Sequence, residues 1–345
     1  MSQEPASQAD PTKPRLDQAK CSHRKRRLTL ALALLLALLI SRSDAVRAKD
    51  DHVPEVSSTF QHTGTVWAVA FSPDGKTLAA GAGAVGGPSE VWLWDLASRK
   101  RLLALKHGAG MGAVAFSHGG SRLACGYDDG QVFLWAVPAG AKEAVLASEE
   151  AVKSLSFSPD DRLLAVADAD GKVTIWDVKR ATLRRRLKAS NDYAFAVAFS
   201  PDGRTLATGG DYNGSVKLWD TPTWQVARTL VGHSGAVDAL AFSPDGRWLA
   251  SGSWDDTAKL WDPATGDLVA TMGGHSFNVW DVGFSPDGRL LATASEEVVM
   301  WRVPRGVRML LLPDEDTMTV AFSPDGYTLA TANDLDVHLW DIRRR

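Results

Sequence analysis

Three side chains in the middle of the 345-residue chain have the types that a serine hydrolase uses: His233, Ser251 and Asp255. A catalytic serine needs a histidine base, an acid that orients the histidine, and donors that stabilise an oxyanion. The sequence shows no candidates for those donors, and we expect the set to be buried between short strands. We therefore predict that these residues are not catalytic and that the protein is not an enzyme.

Other patterns that bind ions or cofactors are incomplete. The eight histidines are dispersed, and no pair has the spacing of a zinc site. The turn Asp168-Ala169-Asp170-Gly171 lacks the bidentate glutamate that closes a calcium loop. The glycines at 81, 83 and 86 precede no helix, which a nucleotide-binding loop requires. We predict no metal and no cofactor.

The elements that position these side chains are the strands of a repeated unit. Its clearest copy starts Phe242-Ser243-Pro244-Asp245-Gly246 and closes at Trp261-Asp262. Proline fixes φ, aspartate can bond its own backbone and glycine accepts positive φ, so the first five residues end a strand and form a turn. The copies begin at Phe71, Phe116, Phe157, Phe199, Phe242, Phe284 and Phe322. They close at Trp94, Trp135, Trp176, Trp219, Trp261, Trp301 and Trp340.

A period of about 40–45 residues that closes on Trp-Asp is typical of a four-stranded propeller blade. Residues 56–345 resemble the WD40-repeat family, in the bacterial type with Phe-Ser-Pro-Asp-Gly repeats. An open solenoid is the alternative architecture. The last copy, however, stops after its third strand, and an additional strand, 56–60, precedes the first copy. We therefore predict an all-β fold: a closed seven-bladed β-propeller of four-stranded antiparallel blades, whose last blade is completed by the N-terminal strand.

The resemblance also implies a role for the hydrolase-like residues. In this family a histidine, a serine or threonine, an aspartate and the closing tryptophan form a hydrogen-bonded chain inside a blade. The fifth copy holds the complete set as His233, Ser251, Asp255 and Trp261. Other copies keep fragments, and two copies depart from the pattern at the first turn. Residues 117–120 read Ser-His-Gly-Gly, and Asp161 stands where a glycine is expected.

Residues 1–48 differ from the repeats. A basic cluster at 24–27 precedes an uncharged run at 28–40, which is shorter than the roughly 20 apolar residues that span a bilayer. With the small residues at 43–45, this pattern predicts a secretory signal peptide, and an uncleaved membrane anchor is the alternative. Either would place the propeller outside the cytoplasm, in the periplasm or extracellular space, after a linker at 49–55. A third alternative is a cytoplasmic scaffold whose N-terminal segment never directs export.

The net charge of the chain limits the class of partner, and its cysteine content limits the disulfides it can form. The first 48 residues carry nine Lys and Arg and four Asp and Glu, so the net charge of −3 for the whole chain becomes −8 for the remainder. An acidic propeller is a poor binder of polyanions, and we predict no nucleic-acid partner. The bases at 179–180 and 184–186 form a local cluster that we interpret as a solvated sheet edge. Cleavage of the N-terminal segment would leave Cys125 as the one cysteine, so no disulfide framework is expected.

We also predict that the propeller is a monomer.

The resemblance implies that partners bind across the face where the innermost strands start. Residues four and six positions before each closing phenylalanine, and those preceding the Asp or Asn of the second turn, are expected to reach this face. The candidates are Trp67, Lys153, Tyr193, Phe195, Tyr212, Asp238, Trp254, Asn278 and Trp280. Aromatic residues with a few charges are typical of interaction hot spots, although some could instead pack between blades.

These candidates favour a non-catalytic scaffold that binds a protein or peptide. The alternative is a propeller enzyme or small-ligand binder with a site in the central channel. The innermost strands offer mainly Ala, Val, Gly and Ser there, with Asp238, Asp281 and Lys153 as exceptions, so we favour the scaffold.

Overall fold

The computed structural model describes residues 54–343. These residues form 28 β-strands and contain no helix, so none of the described segments is a helix long and apolar enough to cross a membrane. The predicted signal peptide or anchor, residues 1–48, lies outside the described residues.

The strands form seven antiparallel sheets of four, which we call blades one to seven. Blade one contains β2 Thr65–Phe71, β3 Thr77–Gly83, β4 Ser89–Asp95 and β5 Lys100–His107. Blade two contains β6 Met111–Phe116, β7 Arg122–Tyr127, β8 Gln131–Ala136 and β9 Ala141–Ala147. Blade three contains β10 Val152–Phe157, β11 Leu163–Asp168, β12 Lys172–Asp177 and β13 Thr182–Lys188. Blade four contains β14 Ala196–Phe199, β15 Thr205–Gly209, β16 Val216–Asp220 and β17 Gln225–Leu230.

The other three blades complete the ring. Blade five contains β18 Val237–Phe242, β19 Leu249–Ser253, β20 Ala258–Trp261 and β21 Leu268–Met272. Blade six contains β22 Asp281–Phe284, β23 Leu290–Ala294, β24 Val298–Arg302 and β25 Val307–Leu312. Blade seven contains β26 Thr319–Phe322, β27 Thr328–Asn333, β28 Asp336–Asp341 and, from the other end of the propeller, β1 Val56–Gln61.

Two sets of contacts close the ring. The first strand of each blade lies beside the first strand of the next, and β2 of blade one contacts β26 of blade seven. In blade seven, β1 pairs antiparallel with β28, so that Phe60 lies opposite Val337. The predicted closed seven-bladed propeller, with its last blade completed by the N-terminal strand, is confirmed.

Burial follows position within a blade. All five residues of β19 are buried, because each blade has a neighbour against both faces and the middle strands are covered on each side. The outer strands are exposed on one edge, and the three arginines of β13 are exposed. The core is therefore a ring of contacts between neighbouring blades, as in the cluster that joins Ala250 and Leu260 of blade five to Leu291 and Val299 of blade six.

The Phe-Ser-Pro-Asp-Gly turns have a common geometry. In blade five, Ser243 Oγ donates to Asp245 Oδ1 at 2.6 Å and accepts the backbone N–H of Trp248 at 2.9 Å. Gly246 has a φ of 70°, which glycine adopts without steric cost. A Cβ on Gly246 would lie 3.6 Å from Cδ of Pro201, the proline of the preceding blade's turn. The turns therefore contact one another around the face opposite the start of the innermost strands.

The two exceptional turns meet each other. Blade two has His118-Gly119 in place of Pro-Asp, and blade three has Asp161, with a φ of 57°, in place of glycine. The Asp161 carboxylate accepts the backbone N–H groups of His118 and Gly119, each at 2.7 Å. Proline has no N–H to donate, so this bond to residue 118 exists only because blade two lacks the proline.

Candidate functional site

Most of the predicted aromatic residues lie together on one face, across blades four to six. In an antiparallel blade, the start of the first strand and the turn between the second and third strands lie at the same end. Tyr193 and Phe195 precede β14, and Trp280 precedes β22. Tyr212 and Trp254 lie in the turns that follow β15 and β19. Five side chains from four loops thus reach one end of the propeller.

Ring contacts join these five residues into one group, together with Phe277. Tyr193 and Phe195 stack with centroids 5.0 Å apart and planes at 9°. Trp254 is at the centre, 5.3 Å from Phe195, 5.9 Å from Tyr212 and 6.4 Å from Trp280. We call these six residues the aromatic cluster: Tyr193, Phe195, Tyr212, Trp254, Phe277 and Trp280.

Two members of the cluster project furthest into solvent. Tyr212 is 43% exposed and Phe277 is 38% exposed, while the other four members are partly buried. Phe277 was not among the predicted residues. It lies seven positions before Phe284, outside the four- and six-residue offsets used to choose candidates, and its ring is 5.9 Å from that of Trp280. The cluster is therefore a surface whose outer rings are open and whose inner rings are held by packing.

The remaining predicted face residues have separate environments. Trp67 donates from Nε1 to the carbonyl of Gly83 at 3.2 Å and packs on the core between blades one and two. Among the described residues, Trp67 makes no ring contact with the aromatic cluster. Lys153 forms an ion pair with Asp128 at 3.6 Å. Asn278 is partly buried beside Phe277.

Asp238 is an acidic residue whose carboxyl interacts with Trp254 of the aromatic cluster. Burial raises the pKa of its carboxyl to about 7, against the opposing effects of Trp254 and Lys153, and nearby Asp281 adds to the increase. Trp254 Nε1 is buried and faces this carboxyl without a hydrogen bond of normal geometry.

Asp281 is also buried enough to have its pKa raised to about 6, but its oxygens are fully used. They accept the hydroxyl of Thr319 at 2.9 Å and the N–H groups of Val320 and Val282 at 3.0 and 2.8 Å. Asp281 thus connects blade six to blade seven, whereas Asp238 forms no such bridge among the described residues.

The hydrolase-like residues form a continuous chain of hydrogen bonds in blade five. Trp261 Nε1 donates to Ser251 Oγ at 2.9 Å, and Ser251 Oγ lies 2.7 Å from His233 Nε2. His233 Nδ1 lies 2.9 Å from Asp255 Oδ2. Burial lowers the pKa of His233, although Asp255 opposes the shift. The neutral imidazole therefore donates from Nδ1 to the carboxylate and accepts the serine hydroxyl at Nε2.

This arrangement satisfies buried polar groups and leaves no room for substrate. Ser251 is fully buried and His233 nearly so. The serine oxygen already accepts the tryptophan N–H and donates its own proton to His233, so no nucleophile faces solvent. A structural role fits this geometry better than catalysis.

Blades six and seven build similar chains with different residues. In blade six, Trp301 Nε1 donates to Thr293 Oγ1 at 2.8 Å, Thr293 lies 3.0 Å from His275 Nε2, and Glu297 replaces the aspartate at 3.0 Å from His275 Nδ1. Blade seven has Pro313-Asp314 where blade five has the Gly-His pair Gly232-His233. There Trp340 Nε1 donates to Thr331 at 2.8 Å, and the Thr331 hydroxyl donates to the buried carboxylate of Asp314. Neither Glu297 nor Asp314 was predicted.

Blades one, three and four keep only part of the chain. Trp219 of blade four donates to Thr208 at 3.0 Å. In blade three, where Val166 lacks a hydroxyl, Thr174 of the paired strand accepts Trp176 Nε1 at 3.0 Å. In blade one, His62 accepts Trp94 Nε1 at 3.4 Å. Burial lowers the pKa of His62 to about 4, with a smaller effect from Arg101, so its imidazole remains neutral and able to accept.

Blade two is the exception, because Trp135 Nε1 is buried without a hydrogen-bond partner. Cys125 occupies the position of Ser251, and burial raises the pKa of its thiol to about 12. A protonated thiol is a weak acceptor. The Tyr127 hydroxyl is also buried and without a partner. Blade two therefore carries two buried polar groups without hydrogen-bond partners, and the tryptophan N–H is one that blades five to seven bond to a hydroxyl.

Ion binding and polyanion binding find little support in the described residues. No group of three acidic, histidine or cysteine side chains among residues 54–343 is arranged to hold a metal. In the basic cluster, Arg180 and Arg184 both pair with Asp177, which lowers the pKa of that carboxyl to about 2, and Arg186 pairs with Glu149 at 3.5 Å. Much of the local positive charge is therefore neutralised within blade three.

The fold and its internal bonds define a closed seven-bladed propeller of the WD40 type. The family described as "IFT122 first beta-propeller" matches residues 65–262, more than half of the chain. The family described as "WD domain, G-beta repeat" matches residues 266–299 and 314–341. The chain therefore belongs to the WD40-repeat propellers.

Comparison with solved structures supports the same fold. A chain in "Crystal Structure of Mitotic Checkpoint Complex" has a TM-score of 0.76 and 24% sequence identity, and the match covers 87% of this chain and 97% of that one. In all, 1856 chains of solved structures match, so the likeness identifies an architecture shared by many proteins. No curated protein sequence matches the chain.

Proposed function

We propose that this protein is a non-catalytic scaffold that binds a protein or peptide partner through the aromatic cluster. The observation that carries the proposal is the continuity of six aromatic rings from blades four, five and six at one end of the propeller. Partly exposed aromatic residues supply large contact areas at low entropic cost and dominate binding energy at many interfaces. A contiguous apolar patch on a protein surface often marks an interaction site.

The alternative of a small-ligand or enzyme site in the central channel has less support. Of the acidic side chains on the innermost strands, Asp281 is occupied by bonds to blade seven. The Ser251–His233 pair is buried inside blade five. The described residues therefore offer the channel few groups that could act on a substrate.

The proposal is tested with peptides selected on the full-length protein from a phage-displayed random library. Trp280→Ala and Tyr212→Ala should each weaken the selected peptides by about tenfold or more, as for hot-spot residues. Their melting temperatures should stay within a few degrees of the parent protein. A matched control is Tyr327→Ala, since Tyr327 is an exposed tyrosine, 54% accessible, next to the Pro-Asp-Gly turn of blade seven at the opposite face.

Loss of binding in Tyr327→Ala equal to that in Tyr212→Ala would contradict the assignment of the face. A large loss of stability in Trp280→Ala would show that this ring is part of the core.

We further propose that this propeller of the bacterial type is exported and acts as a monomer, attached to the membrane only if residues 1–48 are retained. The support is the basic, apolar and small-residue pattern of that segment. Fractionation and mass spectrometry of the mature N-terminus test it. A start near Val46 or Lys49 would establish cleavage, and an intact N-terminus in the membrane would establish an anchor. An intact chain in the cytoplasm would overturn export.

A further inference from the structure

We infer that the aromatic cluster recognises a cationic side chain of its partner, lysine or arginine, with Asp238 as the counter-ion. This inference rests on the proposed function and specifies the chemistry of the bound residue.

Asp238 occupies a position between aromatic residues of the neighbouring blades. Phe195, Asp238 and Trp280 each lie four residues before the closing phenylalanine of blades four, five and six. Equivalent positions of successive blades are neighbours around the ring, so Asp238 has an aromatic residue on either side. Trp254 contacts both of these rings, at 5.3 and 6.4 Å between centroids, and its Nε1 faces the carboxyl. The carboxyl group of Asp238 thus lies beside Trp254, at the ring position that Phe195 and Trp280 occupy in the neighbouring blades.

Asp238 has no counter-ion of its own among the described residues. None of the ion pairs among residues 54–343 includes Asp238. Lys153 is the cation that acts on it, but the Lys153 ammonium is committed to Asp128, 3.6 Å away. A carboxylate in a partly buried site is costly without a cation or donors. When it is ionised, the Asp238 carboxylate therefore has no cation of its own among the described residues.

The aromatic rings and the Asp238 carboxylate both favour a cationic ligand. Aromatic faces attract ammonium and guanidinium groups through their quadrupole, most strongly when water is excluded. A carboxylate beside those faces adds a charge-assisted hydrogen bond. An apolar side chain would fill the same space but leave Asp238 without a partner, and an acidic side chain would be repelled by the carboxylate. Both features of the site select the same class of ligand.

The test uses peptides selected on the propeller from a phage-displayed random library. In each peptide that depends on Trp280, every lysine or arginine is replaced in turn by norleucine, which keeps the aliphatic stem and removes the charge. One replacement should weaken binding by about tenfold, the size expected for a desolvated cation–π and ion-pair contact. Asp238→Asn should weaken the parent peptide similarly and leave the norleucine peptide unchanged.

Asp256→Asn is the control for general charge. Asp256 is an exposed carboxylate in the same turn as Trp254, and its removal should change affinity less than twofold, since exposed pairs contribute little.

The pH dependence provides an independent readout. The charged groups acting on Asp238 are Lys153 on β10 and Asp281 on β22. Because burial holds the Asp238 pKa near 7, a bound cation must displace its proton at acidic pH. Affinity for the cationic peptide should therefore rise between about pH 5 and about pH 8, and Asp238→Asn should remove that rise.

The outcomes separate this inference from the proposed function. Peptides that need Trp280 but tolerate norleucine at every basic position would overturn the inference and leave the scaffold proposal standing. Equal loss of both peptides in Asp238→Asn would also overturn it. If no selected peptide depends on the aromatic cluster, both fail.

Discussion

Substitution of Asp161 by glycine should destabilise the propeller, although it restores the residue found at this turn in the other blades. The Asp161 carboxylate accepts two backbone N–H groups of blade two, His118 and Gly119, at 2.7 Å each. Glycine would leave both donors to water. The expected result is a lower urea midpoint for Asp161→Gly, measured by tryptophan fluorescence.

The magnitude is the difference between two opposing effects. Hydrogen bonds to a charged acceptor contribute about 1.5–3 kcal/mol each. We take the lower value because the Asp161 side chain is 22% exposed, so two bonds contribute about 3 kcal/mol. Asp161 has a φ of 57°, and relief of that conformation by glycine returns about 1 kcal/mol. The net loss for Asp161→Gly should therefore be about 2 kcal/mol.

Blade four provides the control. Gly203 is the equivalent residue, with a φ of 70°, and it faces Pro159, which has no N–H. Gly203→Asp should therefore destabilise by about 1 kcal/mol from backbone strain alone. Adding His118→Pro should cost more in the parent protein than in Asp161→Gly, because only the parent loses a bond to the carboxylate. Strict additivity of the two changes, or an Asp161→Gly protein as stable as the parent, would show that the Asp161 carboxylate does not stabilise the contact between these turns.

Three further predictions concern buried polar groups. Cys125→Ser should be more stable than Cys125→Ala by about 1 kcal/mol, because a hydroxyl gives Trp135 Nε1 an acceptor; equal urea midpoints would contradict this. Ser251→Ala should cost about 2 kcal/mol by leaving Trp261 Nε1 without its acceptor, with peptide binding unchanged; loss of binding at full stability would indicate a functional serine. Burial raises the folded pKa of Asp238 to about 7, so its contribution to stability is present below about pH 4 and is lost towards pH 7. Unfolding free energies across this range should show Asp238→Asn gaining on the parent as pH rises; a constant difference would argue against the raised pKa.

The fold was predictable because its determinants are local and repeated. Each Pro-Asp-Gly turn specifies its own backbone, and the step between closing phenylalanines sets the size of a blade. The offset between the extra strand at 56–60 and the missing fourth strand of the last copy was enough to predict ring closure.

The polar details were less predictable because they depend on substitutions within single copies and on contacts between copies. Asp161 looks like a defect within its own repeat, and its partner His118 is 43 residues away in the preceding blade. Asp314 replaces a histidine from a stretch with no Gly-His pair, and Thr174 replaces an acceptor from the neighbouring strand. Five members of the aromatic cluster came from position counting, but Phe277 lies outside the count. The isolation of Trp67 could not be read from its position, since it depends on which blades carry the other rings.

The pairing of β1 with β28 has a consequence for biosynthesis. The first strand of the propeller has no partner until the last one has left the ribosome. Until then the six complete blades form an open arc with two unsatisfied ends, and β1 remains an unpaired edge that could join another chain. Closure of the ring must therefore follow synthesis of β28. Loss of β28 would therefore leave both β1 and β27 as unpaired edges within blade seven.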